Sequence, residues 1–201
     1  MEMQVPAQIV THQWVLPRLK VYYPVVIGLK NSVAQYSINY AIQHLIHQMI
    51  KDQGYYENPQ TQITGHYELK TNERGILSIT FLIYSFSGGA HGMTVVKSLT
   101  FDVMTGKQYN LKDLFKPGAN YVEVLSKLVL AQIKERDIPL LDNFKGISPD
   151  QDYYIADKSL VLYFQLYELA AYVYGILYFP ISVYTIQDLI DENGPLGKML
   201  Y

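Results

Sequence analysis

The sequence predicts an α+β fold with antiparallel sheet, two main amphipathic helices and a short C-terminal helix. Stretches rich in Val, Ile, Tyr and Phe alternate with turn residues, which is typical of strands joined as hairpins. Two other stretches carry apolar residues at the i, i+3, i+4 spacing of helices that bury one side. With 201 residues, of which 49% are apolar and 17% charged, the chain is long enough for one globular domain or two small ones.

Both main helices have recognisable ends. In the first, apolar residues recur at helical spacing over residues 34–49, and Gly54 can end the helix in a left-handed conformation. In the second, Asn120 and Glu123 have the spacing of a capping box, and the apolar stripe extends to residue 133. The sequence therefore predicts amphipathic helices over these two stretches.

The predicted strands form a meander in the middle of the chain and a second group near its end. Residues 19–29 are expected to form an edge strand, or a strand entered late, because Pro24 lacks the N–H that a central strand needs. The remaining predicted strands cover residues 63–70, 76–86, 95–103 and 159–167, with a further extended stretch that ends at residue 181. The strand over residues 76–86 is apolar on both faces and is expected inside its sheet. A last short helix is expected from Thr185 to Gly194.

Charge and composition exclude several functional classes. The 16 Lys and Arg residues against 18 Asp and Glu residues give a formal net charge of −2, too balanced for the basic surface that nucleic-acid binding needs. The absence of cysteine excludes disulfides, thiol nucleophiles and cysteine-ligated metal sites. No stretch approaches about 20 apolar residues, and the N-terminus has no signal-peptide pattern. Membrane insertion is therefore not expected, and a cytoplasmic location is the alternative to export.

The common catalytic motifs are missing. The sequence has no P-loop, no dinucleotide-binding glycine motif, no H-E-x-x-H and no G-x-S-x-G elbow, so we expect no enzymatic activity and no cofactor. The glycine-rich residues 87–92, which include Gly88 and Gly89, predict a tight turn or bulge rather than a ligand-binding loop. Within them, His91 can bind a ligand or, more simply, contact a neighbouring backbone carbonyl.

Several other side chains leave a structural and a functional interpretation open. His44 and His47 are three residues apart on a helix but lack a third ligand, so they predict a solvated face rather than a metal site. Glu168 follows an apolar strand and needs a hydrogen-bond donor if it is buried, so structural pairing is expected before catalysis. Six tyrosines lie between residues 163 and 184. They suit either a surface that recognises sugars or proteins, or ordinary sheet packing.

Four motifs occur in an order that resembles one family. They are S-G-G-A-H-G at residues 87–92, F-D-V-M-T-G-K at residues 101–107, L-K-D-L-F at residues 111–115, and L-Y-F followed by Y-E and a glycine within residues 162–175. This order resembles the outer domain of RsiV-type anti-sigma factors, which would cover residues 87–201. Residues 20–86 resemble the region ahead of the catalytic domain in PdaC-type peptidoglycan deacetylases, and residues 1–19 would form an N-terminal arm or strand.

The resemblance implies an α+β domain with antiparallel sheet that works outside the membrane. It also implies no catalysis by the domain itself, and binding of lysozyme as a signal. The sequence departs from the family in two respects. It has no sigma-binding segment or membrane helix, and Ala171 stands where the family often has proline.

Three hypotheses follow. The first is a non-catalytic binding or sensing module that recognises lysozyme or cell-wall glycan through loops on the sheet. Its candidate contact residues are His91, Gly88, Gly89, Tyr167, Glu168, Tyr172 and Tyr174. The second is a glycan hydrolase that uses Glu168 with Asp102 or His91, which requires these side chains to share a pocket. The third is a structural or oligomer-forming protein whose tyrosine surface is a subunit interface.

Overall fold

The chain divides into two compact units. The computed structural model describes residues 6–200, and the units are Met1–Gln108 and Tyr109–Tyr201. The strands on either side of residues 86 and 87 are paired in one sheet, and the predicted division into residues 1–19, 20–86 and 87–201 stays a prediction. Among the described residues, no helix has both the length and the apolar composition needed to cross a membrane.

The first unit is a five-stranded sheet with one long helix. Its elements are β1 (Gln8–Leu16), β2 (Leu19–Ile27), α1 (Ser32–Asp52), β3 (Gln62–Glu73), β4 (Ile76–Phe86) and β5 (Met93–Asp102). The strands lie in chain order, and every neighbouring pair is antiparallel except β2 and β3. Helix α1 connects that parallel pair, because two parallel strands need a crossover between them.

The core of the first unit lies between α1 and the sheet. Ile38, Ile42, Ile46 and Ile50 recur every four residues along α1 and are buried. Residues at this spacing share one face of a helix. They belong to the same buried cluster as Phe81 of β4. The predicted amphipathic helix is thereby confirmed.

Both ends of α1 have local causes. Before the helix, Asn31 Oδ1 accepts hydrogen bonds from the N–H groups of Val33 and Ala34, at 3.1 and 3.2 Å. Such a side-chain cap satisfies backbone donors that have no partner within the helix. After the helix, Gly54 has φ +76°, as the predicted stop requires. The observed start precedes the predicted one by two residues, because the capping segment lies outside the apolar pattern.

The hairpin formed by β3 and β4 confirms the sequence pattern. β4 has the predicted bounds and lies between β3 and β5. Its turn consists of Arg74 and Gly75, with φ of 52° and 74°. Two successive positive φ angles are typical of a two-residue hairpin turn whose twist matches the strands.

The predicted edge strand is the second strand of the sheet, and the edge is β1. Pro24 lies opposite Thr11 of β1, whereas β3 pairs with β2 only as far as Val21. Two residues beyond Pro24, Val26 directs its N–H and C=O groups to the Asn39 side chain, at 2.8 Å each. Because alternate residues of a strand point their backbone groups the same way, Pro24 faces the side where β3 has already ended. No neighbouring strand therefore needs a hydrogen bond from the backbone nitrogen of Pro24, which carries no hydrogen.

The second unit combines a small antiparallel sheet with longer connections. Its elements are α2 (Tyr121–Glu135), β6 (Tyr153–Ala156), β7 (Ser159–Phe164), β8 (Leu177–Ser182) and α3 (Pro195–Met199), with short 3-10 turns at Leu111–Leu114, Tyr172–Tyr174, Val183–Thr185 and Gln187–Leu189. The strand order is β6, β7, β8. At the end of α2, the Arg136 guanidinium donates a hydrogen bond to the Tyr178 carbonyl in β8, at 2.8 Å. The α+β fold class is thus confirmed.

Three local predictions in the second unit are wrong. The predicted capping box is not formed, because the Asn120 amide donates to the Glu123 carboxylate instead of capping the helix. The strand predicted to reach residue 167 ends at Phe164. Gly194 precedes the last helix rather than ending it, and Pro195 occupies the first helical position. Proline is favoured there because its fixed φ suits the helix and its missing N–H is not needed.

Candidate functional site

Within the loop between β7 and β8, residues 165–175 hold four of the seven candidate residues, and we call this segment the tyrosine loop. Tyr167 takes φ 65° in its first turn. Glu168 closes this turn from both sides: its Oε2 accepts the Gln165 N–H at 2.6 Å, and its own N–H donates to the Gln165 carbonyl at 3.1 Å. Glu168 is exposed, and the donor it pairs with is a backbone amide rather than a tyrosine hydroxyl.

The far side of the tyrosine loop is fixed by backbone hydrogen bonds. Leu141 N–H donates to the Leu169 carbonyl at 2.8 Å, and Leu140 pairs with the buried Ala170. Tyr174 N–H donates to the Ala171 carbonyl at 2.9 Å. Ala171 has φ −62°, an angle that proline also adopts. The φ angle of Ala171 is therefore compatible with the proline that the family often has at this position.

This fixed backbone displays apolar side chains to solvent. Val173 is 84% exposed, Leu141 57%, Tyr167 48% and Tyr174 47%. The rings of Tyr167 and Tyr172 are in contact, with centroids 5.7 Å apart. By contrast, Tyr153, Tyr154 and Tyr163 are buried in the sheet. Some tyrosines of this unit therefore pack inside the sheet, whereas others present their rings to solvent.

The remaining candidates lie in the first unit, in the connection between β4 and β5. Gly88 and Gly89 have φ +92° and +100°, which only glycine adopts readily. His91 is exposed, and its Nδ1 lies 3.1 Å from the Gly92 carbonyl oxygen. The geometry is that of a tight turn in which the ring contacts a neighbouring carbonyl.

Asp102 has a structural environment. Its Oδ1 accepts hydrogen bonds from the N–H groups of Met104 and Thr105, both at 2.9 Å, and from the Thr105 hydroxyl at 3.2 Å. These bonds close the turn that leads to Gly106, where a Cβ atom would come within 2.8 Å of the Ala34 backbone in α1. The D-x-x-T-G motif of residues 102–106 therefore brings the end of β5 against the start of α1.

Metal binding has no visible donor set in the described part of the chain. Between residues 6 and 200, no three His, Asp or Glu side chains are grouped closely enough to hold an ion. His44 and His47 are both exposed, as a solvated face requires. However, the His47 ring stacks on Trp14, with centroids 5.8 Å apart and planes 11° apart. The sequence pattern did not indicate this contact, because the two residues are on different elements.

The chain is an α+β protein made of two different units, and a stretch of residues in each unit matches the profile of a known family. Residues 15–94 match the profile of the family described as Deacetylase PdaC. Residues 112–184 match the profile of the family described as Protein of unknown function (DUF3298). The predicted resemblance, a PdaC-like first half followed by an RsiV-type second half, is confirmed.

Two curated proteins of Bacillus subtilis are homologous to the chain. Anti-sigma-V factor RsiV is 30% identical over 183 residues, which make up 83% of this chain and 63% of RsiV. Peptidoglycan-N-acetylmuramic acid deacetylase PdaC is 26% identical over 141 residues, which make up 67% of this chain and 30% of the deacetylase. The chain thus spans less than two thirds of the length of either relative.

Solved structures of the DUF3298 family have the same fold. A member from Bacteroides fragilis superimposes with a TM-score of 0.67 at 12% identity, over 98% of this chain and 97% of that one. A member from Pseudomonas aeruginosa PAO1 gives a TM-score of 0.68 at 16% identity, over 94% and 96% of the two chains. At these identities the likeness establishes the fold alone.

Proposed function

We propose that this chain is a non-catalytic sensing module and that its tyrosine loop binds lysozyme. Homology to an anti-sigma factor over 83% of the chain supports a sensing role. The partner follows from the resemblance to RsiV-type proteins, as does a location outside the membrane. The deacetylase likeness extends over only 30% of that enzyme's length, and we propose no deacetylase activity for this chain.

One observation carries the proposal: the tyrosine loop exposes apolar side chains from a backbone that is already fixed. Tyrosines at the centre of an interface contribute much of the binding energy of protein complexes. A loop held in place by the Glu168 and Leu169 hydrogen bonds loses little conformational entropy when a partner docks. Binding through such a loop therefore keeps most of the energy gained by burying its rings.

The hydrolase alternative lacks a comparable observation. The Asp102 and Glu168 carboxylates both accept hydrogen bonds from backbone amides of their own turns. A general acid or base needs instead a carboxyl group directed at a substrate in a pocket. The oligomer hypothesis stays a prediction.

Calorimetric titration with hen egg-white lysozyme tests the proposal. The informative variant is Tyr174→Ala, and the matched control is Tyr184→Ala, because these residues are 47% and 50% exposed. Tyr184 follows β8, whereas the tyrosine loop precedes it, so the six residues of that strand separate them by roughly 20 Å. We expect Tyr174→Ala to weaken lysozyme binding by about tenfold, and Tyr184→Ala to change it by less than about twofold.

The same titration with muropeptides distinguishes the partners. Absence of heat with lysozyme at concentrations up to about 0.5 mM contradicts the proposal. Binding of muropeptides that is weakened by Tyr174→Ala, without binding of lysozyme, replaces the protein partner by cell-wall glycan. Equal effects of the two tyrosine variants also contradict the assignment, because the tyrosine loop is then not the contact surface.

A further inference from the structure

The first unit contains a cleft that none of the seven candidate contact residues lines. It lies between α1 and the β1–β2 hairpin and has a volume of about 710 Å³. Aromatic rings from both sides line it: Trp14 and Tyr23 from the strands, and Tyr40, His44 and His47 from the helix. We call it the aromatic cleft. Its volume lies within the range of about 300–1,000 Å³ that is typical of small-molecule sites.

Two stacked ring pairs line the aromatic cleft. Trp14 stacks on His47 with a centroid distance of 5.8 Å, and Tyr40 stacks on His44 at 6.0 Å with planes 26° apart. One turn earlier in α1, Tyr36 stacks on Tyr40 at 6.2 Å. Residues four apart on a helix lie above one another, so these rings form one row along α1. The rings hold each other in place before any ligand arrives.

Much of this aromatic surface is in contact with water. Tyr36 is 72% exposed and Tyr40 is 59% exposed. At the inner side of the aromatic cleft, Ile46 is buried in the core and Trp14 packs partly against it. The cleft is therefore anchored to the core, while its outer rings keep their apolar faces available for a ligand.

Apart from the hydroxyls of Tyr23 and Tyr40 and the indole N–H of Trp14, the polar side-chain groups in the aromatic cleft are amides and imidazoles. Gln13 and Gln43 line it, and among its described lining residues there is no Asp, Glu, Lys or Arg. An amide both donates and accepts hydrogen bonds, which suits hydroxyl and acetamido groups. A ligand with a formal charge would find no Asp, Glu, Lys or Arg partner among these residues, and desolvating a charge without a partner is costly.

From this combination we infer that the aromatic cleft binds a neutral oligosaccharide. The apolar C–H faces of sugar rings pack against the aromatic rings, while their hydroxyl or acetamido groups bond to the Gln13 and Gln43 amides. Such a ligand is apolar on its ring faces and polar at its edges, as the cleft lining is. The inference concerns the first unit and goes beyond the proposed function, which concerns the tyrosine loop of the second.

Trp14 provides a direct test, because it is the only tryptophan in the chain. Its fluorescence is followed while the intact protein is titrated with chitotetraose and, separately, with cellotetraose at constant pH. We expect a saturable change in emission with at least one of the two sugars. No change with either sugar at concentrations up to about 10 mM overturns the inference.

Three variants locate the binding. Tyr40→Ala removes an exposed ring of the aromatic cleft, and we expect it to weaken sugar binding by about fivefold or more. The control is Tyr22→Ala, because Tyr22 is 38% exposed but, next to Tyr23 in β2, points to the opposite face of the sheet. Gln43→Leu keeps the bulk of the side chain but removes the amide, and we expect it to weaken sugar binding as well.

The pattern of effects decides the ligand class. An apolar peptide in the aromatic cleft would be bound equally well or more tightly after Gln43→Leu, because that change only adds apolar surface. Unchanged or tighter binding in Gln43→Leu, or equal effects of Tyr40→Ala and Tyr22→Ala, therefore overturns the oligosaccharide inference. Lysozyme binding by Tyr40→Ala is measured alongside. Loss of sugar binding with lysozyme binding intact separates this site from the proposed function.

Discussion

The two units display their exposed aromatic side chains in different ways. In the first unit, the rings of Tyr36, Tyr40 and His44 stand on a regular helix and stack on one another. In the second unit, Tyr167 and Tyr174 stand on a loop that is shaped by backbone hydrogen bonds and by the Glu168 carboxylate. Helix geometry positions the first set of rings, whereas turn chemistry positions the second.

This difference predicts different responses to substitution. A ring on α1 can be removed without changing the backbone below it, because the buried face of the helix is on the isoleucines. A ring on the tyrosine loop depends on the turns around it and on the hairpin that carries them. The predictions below therefore begin with the hairpin that carries the tyrosine loop rather than with its rings.

The largest expected effect comes from disrupting the packing of the β7–β8 hairpin that carries the tyrosine loop. Phe179 of β8 is fully buried, and its ring makes an edge contact with Phe164 of β7 at 5.5 Å. Phe179→Ala leaves a cavity between the strands on either side of the loop, and we expect it to lower the free energy of unfolding by about 3–5 kcal/mol. Urea denaturation followed by circular dichroism measures this loss.

The control for this change lies in the loop itself. Val173 is 84% exposed, so Val173→Ala removes little buried surface and should change the free energy of unfolding by less than about 0.5 kcal/mol. A similar loss in both variants would show that the tyrosine loop is part of the folding core. The distinction between the buried β7–β8 hairpin and the exposed loop that it carries would then be wrong for the second unit.

Sequence patterns predicted the elements that have a regular period and a clear turn. The bounds of β4 and the stop of α1 at Gly54 follow from such local signals. The four-residue strand β6 is too short to show a period. The placement of Gly194 failed because glycine is used at both ends of helices, and here the deciding residue was Pro195. The parallel pairing of β2 with β3 is a long-range contact that no local pattern encodes.

The tyrosine loop and the aromatic cleft also differ in how far the sequence predicts them. The tyrosine loop could be predicted because its residues are adjacent in the chain. The aromatic cleft could not, because Trp14 and His47 belong to different elements and only the fold brings their rings together. A partial signal was present: Tyr36, Tyr40 and His44 recur every four residues on a helix whose buried positions are occupied by other side chains. An aromatic row on the solvent-facing side of a helix is an exposed apolar patch, which commonly marks an interaction surface.

Asp102 and Glu168, the two carboxylates that the hydrolase hypothesis places in one pocket, are expected to differ in their contributions to stability. Asp102 is 8% exposed and accepts three hydrogen bonds in its turn, whereas Glu168 is exposed and accepts one from the Gln165 amide. We expect Asp102→Ala to cost about 1–3 kcal/mol of unfolding free energy, because three part-buried donors lose a charged acceptor. Glu168→Ala should cost less than about 1 kcal/mol, because water replaces the carboxylate.

Hydrogen exchange sharpens this comparison. In Glu168→Ala, the Gln165 amide should exchange faster with solvent, since it loses its acceptor, while the amides of β7 remain protected. Unchanged exchange at Gln165 contradicts the structural role of Glu168. A larger loss of stability in Glu168→Ala than in Asp102→Ala would contradict the prediction that the Asp102 carboxylate contributes more to stability than the Glu168 carboxylate.

The smallest expected effect concerns Tyr121, a tyrosine that belongs neither to the aromatic row on α1 nor to the tyrosine loop. Its ring stacks on Phe115 at 4.8 Å, and its hydroxyl donates to the Pro149 carbonyl at 2.8 Å. Burial raises the pKa of the Tyr121 phenol, and the negative charges of Asp150 and Asp113 raise it further. The folded chain therefore holds this proton more strongly than the unfolded chain.

Because the unfolded phenol ionises first, Tyr121 lowers the stability of the fold as the pH rises through about 10, and contributes nothing to the pH dependence well below that value. Asp150→Asn should bring the pKa of Tyr121 closer to the ordinary tyrosine value without reaching it, since burial is the larger cause. The measurement is the difference in tyrosinate absorbance between each protein and its Tyr121→Phe counterpart, titrated with alkali. If Asp150→Asn leaves the Tyr121 titration unchanged, the Asp150 carboxylate does not act on this phenol. A return of the pKa to the ordinary tyrosine value would mean that neither burial nor Asp113 contributes to the shift.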